Sequence, residues 1–448
     1  MMIGSLYKKI NNKHFLSFIG NISMSVLSMI TIAILFRSMA KEDIGYWFFF
    51  QTLFVLLDTF RTGFLQIALI TFYTGAAEKR ANEVIGSIWF LAICITGILI
   101  LINIAMLPFF NFFNNPAFIV TVQWFGLTFL ATLPSNIASW ILQADQNFGK
   151  LLIIRVLTQG SFIICLLLLI LFKQVNLNHL LLVNFLVNVF VSIITLVFKW
   201  THIGSFFKRT KQCILEIYHF GKFSVGTTIS ANLLRSSDSF IITFLLGPAA
   251  LAIYNIPLRL LELIEIPIRS SVSTGMSSMA KAFNRNNLKE VVYILQKYAG
   301  SLFFAFIPLA IGGILFADIA VSLLGGGKYV NSEAANVYRI MMVLAVFYPI
   351  DRFIGVSLDI IHQPKINFIK VILMLVLNVV GDFIGIFIFR NIYGVAISTL
   401  FPLVIGMGFG YYHLNKFIPF KFKNIFIFGF IQIRVYYRKF IKTKFNFK

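Results

Sequence analysis

Charge is scarce in this chain of 448 residues: Asp, Glu, Lys and Arg together make up 12% of it, against about 25% in a soluble domain. That shortage excludes a water-soluble globular protein, and a mean hydropathy of +0.88 agrees. Cysteine is nearly absent too, with three residues in all. Cys94 and Cys165 lie in apolar blocks and Cys213 in a basic stretch. No CxxC or Cys/His spacing occurs, which excludes a disulfide framework and a zinc site and leaves the three as packing residues. Alternating ten-residue strands are missing, so a β-barrel is excluded. No nucleophile, metal site or nucleotide loop is recognisable. Gly325-Gly326-Gly327-Lys328 lacks the preceding strand and the spacing of a phosphate loop.

What is present is apolar sequence, 59% of the residues, recurring in blocks of about 20, the length that crosses the hydrocarbon core as a helix. Lipid offers the backbone no hydrogen-bond partner, so such blocks must be helices. Twelve are expected, at 15–36, 44–74, 84–113, 117–142, 151–172, 177–199, 220–246, 250–279, 292–316, 334–361, 366–389 and 392–413. The first follows Lys8, Lys9 and Lys13 like a signal peptide, but its apolar run is too long and no small-residue cleavage site follows it. It is read as an uncleaved helix.

The net charge of +22 does not imply nucleic acid, because the cations sit between apolar blocks and at the end of the chain. With the N-terminus in the cytoplasm, the inner side collects residues such as Lys79, Arg80, Lys150, Lys208, Arg209, Lys281, Lys365 and Lys370, plus every basic residue from Lys416 on. The outer side has Arg37, Lys41, Lys173, Lys328, Arg339 and Arg390. The positive-inside rule then favours an even helix number with both termini cytoplasmic. The tail after Lys416 contains no acidic residue, and its apolar stretch 425–433 is too short to span. It is expected as an interfacial helix on the anionic leaflet.

The expected architecture is therefore an all-α polytopic membrane protein with about 12 transmembrane helices in two pseudo-symmetric six-helix lobes. Residues 1–199 form the N-terminal lobe, 200–219 a cytoplasmic linker, 220–413 the C-terminal lobe and 414–448 a basic amphipathic tail. A faint repeat supports the two halves. A helix, a short break and Ile44-Gly45-Tyr46-Trp47 in 15–60 correspond to a helix, Gly247-Pro248 and Ala252-Ile253-Tyr254-Asn255 in 223–268. Parallel repeats of this kind build transporters, with the site between the halves.

Ionisable side chains at bilayer depth are costly and mark function or packing. Here Asp58 and Arg61, and again Arg235 and Asp238, stand three residues apart; Arg259, Glu262, Glu265 and Arg269 form a stripe. Asp351, Arg352, Asp359 and a lone Asp382 near Asn378 follow. Each pair by itself is as well explained by mutual neutralisation; the whole set points to a polar, partly cationic cavity. Guanidinium groups pair with phosphate in bidentate geometry, so Arg61, Arg235, Arg259, Arg269 and Arg352 are the candidates for an anionic substrate. Asp58, Asp238, Glu262, Glu265, Asp351 and Asp382 are the candidates for gating or for carrying a coupling H⁺ or Na⁺. No cofactor is expected.

The stretch Leu233-Leu234-Arg235-Ser236-Ser237-Asp238 with Leu245-Leu246-Gly247-Pro248-Ala249-Ala250-Leu251-Ala252-Ile253-Tyr254 resembles the polysaccharide-repeat, O-antigen type flippases of the multidrug/oligosaccharidyl-lipid/polysaccharide superfamily. Met279-Ala280-Lys281 to Leu288-Lys289-Glu290 resembles the loop that follows in that family. In the common pattern an Arg follows the Asp, whereas here Ser239 follows Asp238 and Arg235 precedes it. The resemblance implies a transporter, not an enzyme, in the bacterial inner membrane. Its substrate would be an undecaprenyl-diphosphate-linked oligosaccharide for surface polysaccharide such as lipopolysaccharide. Its expected partners are membrane lipids and polysaccharide polymerase machinery. Two alternatives stand beside it: an ion-coupled multidrug or metabolite antiporter of the same fold and, more distantly, a membrane glycan polymerase.

Overall fold

The computed structural model describes residues 13–109 and 116–445. Lys8, Lys9 and the last three residues lie outside them, as do the side chains of Lys13, Lys222 and Lys439. Among the described residues the regular structure is entirely helical. The order is α1 (Lys13–Ser38), α2 (Lys41–Tyr73), α3 (Glu78–Met106), α4 (Pro116–Ala131), α5 (Leu133–Ala144), α6 (Phe148–Leu171) and α7 (Leu177–Val197). Then come α8 (Lys211–Leu245), α9 (Pro248–Asn284), α10 (Leu288–Leu315), α11 (Ala317–Gly325), α12 (Ala334–Ala345) and α13 (Tyr348–Ile360). The chain ends with α14 (Pro364–Phe389), α15 (Ile392–Ser398), α16 (Leu400–Phe417) and α17 (Lys423–Phe445).

Each of the twelve apolar blocks falls on a helix or on two helices in series. Seven helices among the described residues are long and apolar enough to cross a membrane, or nine when two bent pairs each count as one span. Both bent pairs turn by 47°: α4 with α5, and α12 with α13. Each has a proline in the first turn after the break, Pro134 and Pro349. Proline cannot donate to the preceding turn and its ring clashes there, which places the bend at that point. These are the fourth and tenth apolar blocks, six apart, as the two-half repeat requires.

Connections are short because helices stop abruptly. Gln146, Lys173, Lys199, Asn286 and His362 take positive φ between 55° and 60°. In each case the next residue's N–H reaches back to a carbonyl five positions earlier, as Asn147 does to Leu142 and Asn287 to Ala282. Such closures satisfy carbonyls at the helix end. Asn147 and Asn287 then cap α6 and α10 through their side-chain oxygens, which accept from Lys150 N and Glu290 N.

The chain divides into two compact units, Met1–Ser239 and Phe240–Lys448, so the division falls inside α8. The stretch 200–219, expected as a linker, is packed onto α3 in the first unit. Trp89 Nε1 donates to Thr201 O at 2.9 Å and Ser205 Oγ to Asn82 Oδ1 at 2.6 Å. A Cβ on Gly86 would come within 2.3 Å of Ser205 O. Cys213, fully buried, joins the core formed by Leu65, Leu69, Ile88, Trp89, Ile137 and Trp140. Burial pushes its thiol pKa up, as expected of an inert packing cysteine.

In the second unit α17 is more than a helix resting on a leaflet. It crosses α10 with backbone against backbone: a Cβ on Gly300 would lie 2.0 Å from Ile425 O, and one on Gly429 2.3 Å from Gly300 C. Ile425 is completely buried there, and Phe303–Phe426 and Phe304–Phe430 rings lie 4.9 and 5.8 Å apart. Small residues permit this close approach, as at helix crossings within membranes. The basic tail is therefore anchored to protein as well as suited to lipid.

Gly300→Ala or Gly429→Ala should force the two backbones apart. Cysteines placed at Phe304 and Phe430 should cross-link readily in the parent background and poorly in either variant.

Candidate functional site

Within the first unit, Asp58 and Arg61 sit one helical turn apart on α2. The Arg61 side chain is completely buried, and that of Asp58 is 16% exposed. Arg61 Nε and Nη2 donate to Asp58 Oδ1 at 2.9 and 2.6 Å, and Nη2 also donates to Thr132 Oγ1 at 2.8 Å. Its Nη1 donates to Phe129 O at 3.0 Å and to Thr96 Oγ1 at 3.5 Å. Its guanidinium carbon stands 4.0 Å over the Phe129 ring. A guanidinium has five N–H donors, and these contacts engage all of them. Phe129 and Thr132 flank the break between α4 and α5, so Arg61 ties α2 and α3 to that bend. A substrate role expected for Arg61 therefore meets a side chain wholly committed to its own unit in this conformation.

On α8, Arg235 is exposed and Asp238 half-buried, with Ser236, Ser237 and Ser239 buried around them. Ser237 Oγ donates to Asp238 Oδ1 at 3.5 Å. Nearer the start of this stretch, Asn232 Nδ2 donates to Thr59 Oγ1 at 2.8 Å, holding α8 to α2 beside the Asp58–Arg61 pair.

In the second unit the stripe on α9 resolves into two ion pairs. Arg259 Nη1 meets Glu262 Oε1 at 2.7 Å, and Arg269 Nη2 meets Glu265 Oε2 at 2.6 Å. On α13 the neighbours Asp351 and Arg352 part company. Asp351 turns inward, 15% exposed, to Lys370 Nζ at 2.5 Å, whose own side chain is only 3% exposed. Arg352 is exposed. Asp359, two turns further along, accepts from Asn367 Nδ2 with both carboxylate oxygens, each at 3.0 Å.

Lys370, counted among the inner-side cations of loops and helix ends, lies nearly two turns into α14, which begins at Pro364, and is buried there. Asp382 on the same helix is fully buried. Its Oδ1 accepts from Ser398 Oγ at 2.5 Å and its Oδ2 from Asn378 Nδ2 at 3.2 Å. Sequence reasoning missed Lys370 and Ser398 as partners. Both lie on other helices, where no local spacing pairs them with a carboxylate. Among the described residues no group of three or more His, Cys, Asp or Glu side chains is placed to hold a metal ion.

Residues 11–276, more than half of the chain, match the family model described as polysaccharide biosynthesis protein. The chain belongs to that family. A second model, MatE, matches residues 224–384. A curated relative, the probable low-salt glycan biosynthesis flippase Agl15 of Haloferax volcanii, is 22% identical over 418 residues, covering 91% of this chain and 84% of its own. Two solved structures share the fold. Lipid II flippase MurJ in an inward closed conformation has a TM-score of 0.75 at 14% identity, covering 96% of this chain and 93% of that one. An inward-facing multidrug resistance MATE family transporter of the MOP superfamily has a TM-score of 0.73 at 16% identity, covering 89% and 98%. The all-α polytopic architecture is thus the fold of these two structures.

Arg61→Leu would leave the Asp58 carboxylate buried without its cation, a change that costs about 3–5 kcal/mol. A clear fall in melting temperature in detergent is expected. Arg61→Lys, with charge but no planar fork, should recover only part of it.

Proposed function

We propose that this protein is a flippase that moves a lipid-diphosphate-linked oligosaccharide across the bacterial inner membrane by alternating access, for surface polysaccharide such as lipopolysaccharide O-antigen. The observation that carries this reading is the family match over residues 11–276. The printed names of the glycan flippase Agl15 and of lipid II flippase MurJ support a lipid-linked glycan as the substrate class. Proteins similar to this chain over most of its length are transporters, which favours transport over catalysis.

The cationic groups supply the chemistry. Arg235, Arg259, Arg269 and Arg352 are exposed or half-exposed on helices that are otherwise apolar or membrane-length, and guanidinium suits a diphosphate. Arg61 is left out of the contact set because all its donors are engaged. Glu262 and Glu265 pair with two of these arginines and would release them as gates. Asp238, Asp351 and the buried Asp382 are the remaining acidic groups, with Asp382 the natural carrier for a coupling H⁺ or Na⁺. Asp58 acts through Arg61. Undecaprenyl diphosphate is the proposed lipid carrier, with polymerase machinery taking the product and both termini in the cytoplasm.

A second reading, an ion-coupled multidrug or metabolite antiporter, is favoured by the MatE match over residues 224–384. Depletion of the protein in cells separates the two. The flippase reading expects lipid-linked glycan to accumulate on the cytoplasmic leaflet, with reversal by the wild-type chain and much weaker reversal by Arg235→Ala or Arg259→Ala. Unchanged export with increased sensitivity to cationic compounds would favour the antiporter instead.

A further inference from the structure

Lys370 is a buried cation that the functional reading does not use, and three helices are arranged around it. Its ammonium reaches both the carboxylate of Asp351, at 2.5 Å, and the backbone carbonyl of the same residue, at 3.2 Å. Its stem passes through a slot made by two glycines. A Cβ on Gly355 of α13 would lie 3.6 Å from Lys370 Nζ, and one on Gly410 of α16 would lie 3.3 Å from Lys370 Cδ. Taking an ammonium out of water is costly unless a counter-charge meets it, so the arrangement calls for a return other than packing.

That return stands one residue further along. Asp351 and Arg352 occupy the first turn of α13, immediately after the 47° bend. Three arginines at the candidate positions pair with a carboxylate one turn away: Arg61 with Asp58, Arg259 with Glu262, Arg269 with Glu265. Arg352 differs. Among the described residues no ion pair joins it to a carboxylate, and the charge of the adjacent Asp351 is already met by Lys370. Arg352 and Asp359, seven apart, are both exposed on one face of α13, while Ile350, Phe353, Ile354 and Leu358 are buried on the other. Charges on a helix at bilayer depth face water or protein rather than lipid tails, so this face is the wet one.

We propose that Lys370 is a positioning residue. By drawing the Asp351 carboxylate inward and fixing the first turn after the bend, it leaves the Arg352 guanidinium as an uncompensated cation for a diphosphate-bearing ligand. The assignment rests on the flippase reading for the ligand's chemistry, and it adds a residue that touches no ligand.

The test is equilibrium binding of farnesyl diphosphate to the full-length protein in nanodiscs, for wild type, Arg352→Gln, Lys370→Met, the Arg352→Gln/Lys370→Met pair and the Lys370→Met/Asp351→Asn pair. Monodispersity of each is checked by gel filtration. Arg352→Gln and Lys370→Met should each weaken binding about tenfold or more, the scale of one charge-assisted hydrogen bond. Their combination should be no weaker than Arg352→Gln alone, since Lys370 acts only through Arg352. Removing the released carboxylate in Lys370→Met/Asp351→Asn should restore most of the affinity. Independent, additive losses, or a folded Lys370→Met variant that binds like wild type while Arg352→Gln does not, would overturn the role of Lys370 and leave the anion site standing. Absence of binding to the wild-type protein, or wild-type affinity in Arg352→Gln, would overturn both.

Discussion

Inside a bilayer an ionised side chain finds no water among the lipid tails, so a charge that a helix carries into it must be met by the protein or face a wet cavity. That constraint organises both units of this chain. Arg61 meets it by spending five donors on a carboxylate, a backbone carbonyl and two threonines. Lys370 meets it with one carboxylate and one carbonyl, in a slot cleared by glycine. In each unit the cation sits against the bend of a proline-broken helix pair, α4–α5 in the first and α12–α13 in the second. Arg61 takes the Phe129 carbonyl in the last turn before its bend, and Lys370 takes the Asp351 carbonyl in the first turn after the other.

The same constraint sorts the remaining charges. Arg259 and Arg269 are matched within α9 by glutamates one turn away. These pairs are more exposed than Arg61–Asp58 and can open at lower cost, since solvent screens the separated charges. The inward-turned pairs hold the framework, and the outward ones are those the proposed function assigns to a ligand. On that proposal, ligand binding and helix packing draw on one small stock of ionisable residues.

Much of this was legible in the sequence, for a physical reason in each case. Apolar blocks of membrane length are read directly because hydropathy is local, and all twelve fall on helices. Pairs one turn apart, such as Asp58–Arg61 and Arg259–Glu262, follow from helical geometry alone. What could not be read lies between helices. Lys370 looks like a helix-end charge until Gly410, forty positions on, is seen to make room for it. Ser398 gains its link to Asp382 only because α14 and α15 pack closely, with Gly385 against Gly394. The bends were hidden because Pro134 and Pro349 sit within continuous apolar runs. The packing of 200–219 onto α3 was hidden because its polar composition suggested solvent, whereas Thr201 O accepts from Trp89 and the Ser205 hydroxyl donates to Asn82.

The crossing of α17 over α10 also bears on how the chain is made. Gly300 leaves the ribosome roughly 130 residues before Gly429, which at about 5–20 residues per second is on the order of ten seconds. During that interval the glycine surface of α10 and the flanking Phe303 and Phe304 have no permanent cover. Lipid chains can occupy the place until α17 arrives. The arrival of α17 thus covers that surface of α10, and a message truncated before residue 423 would leave it open.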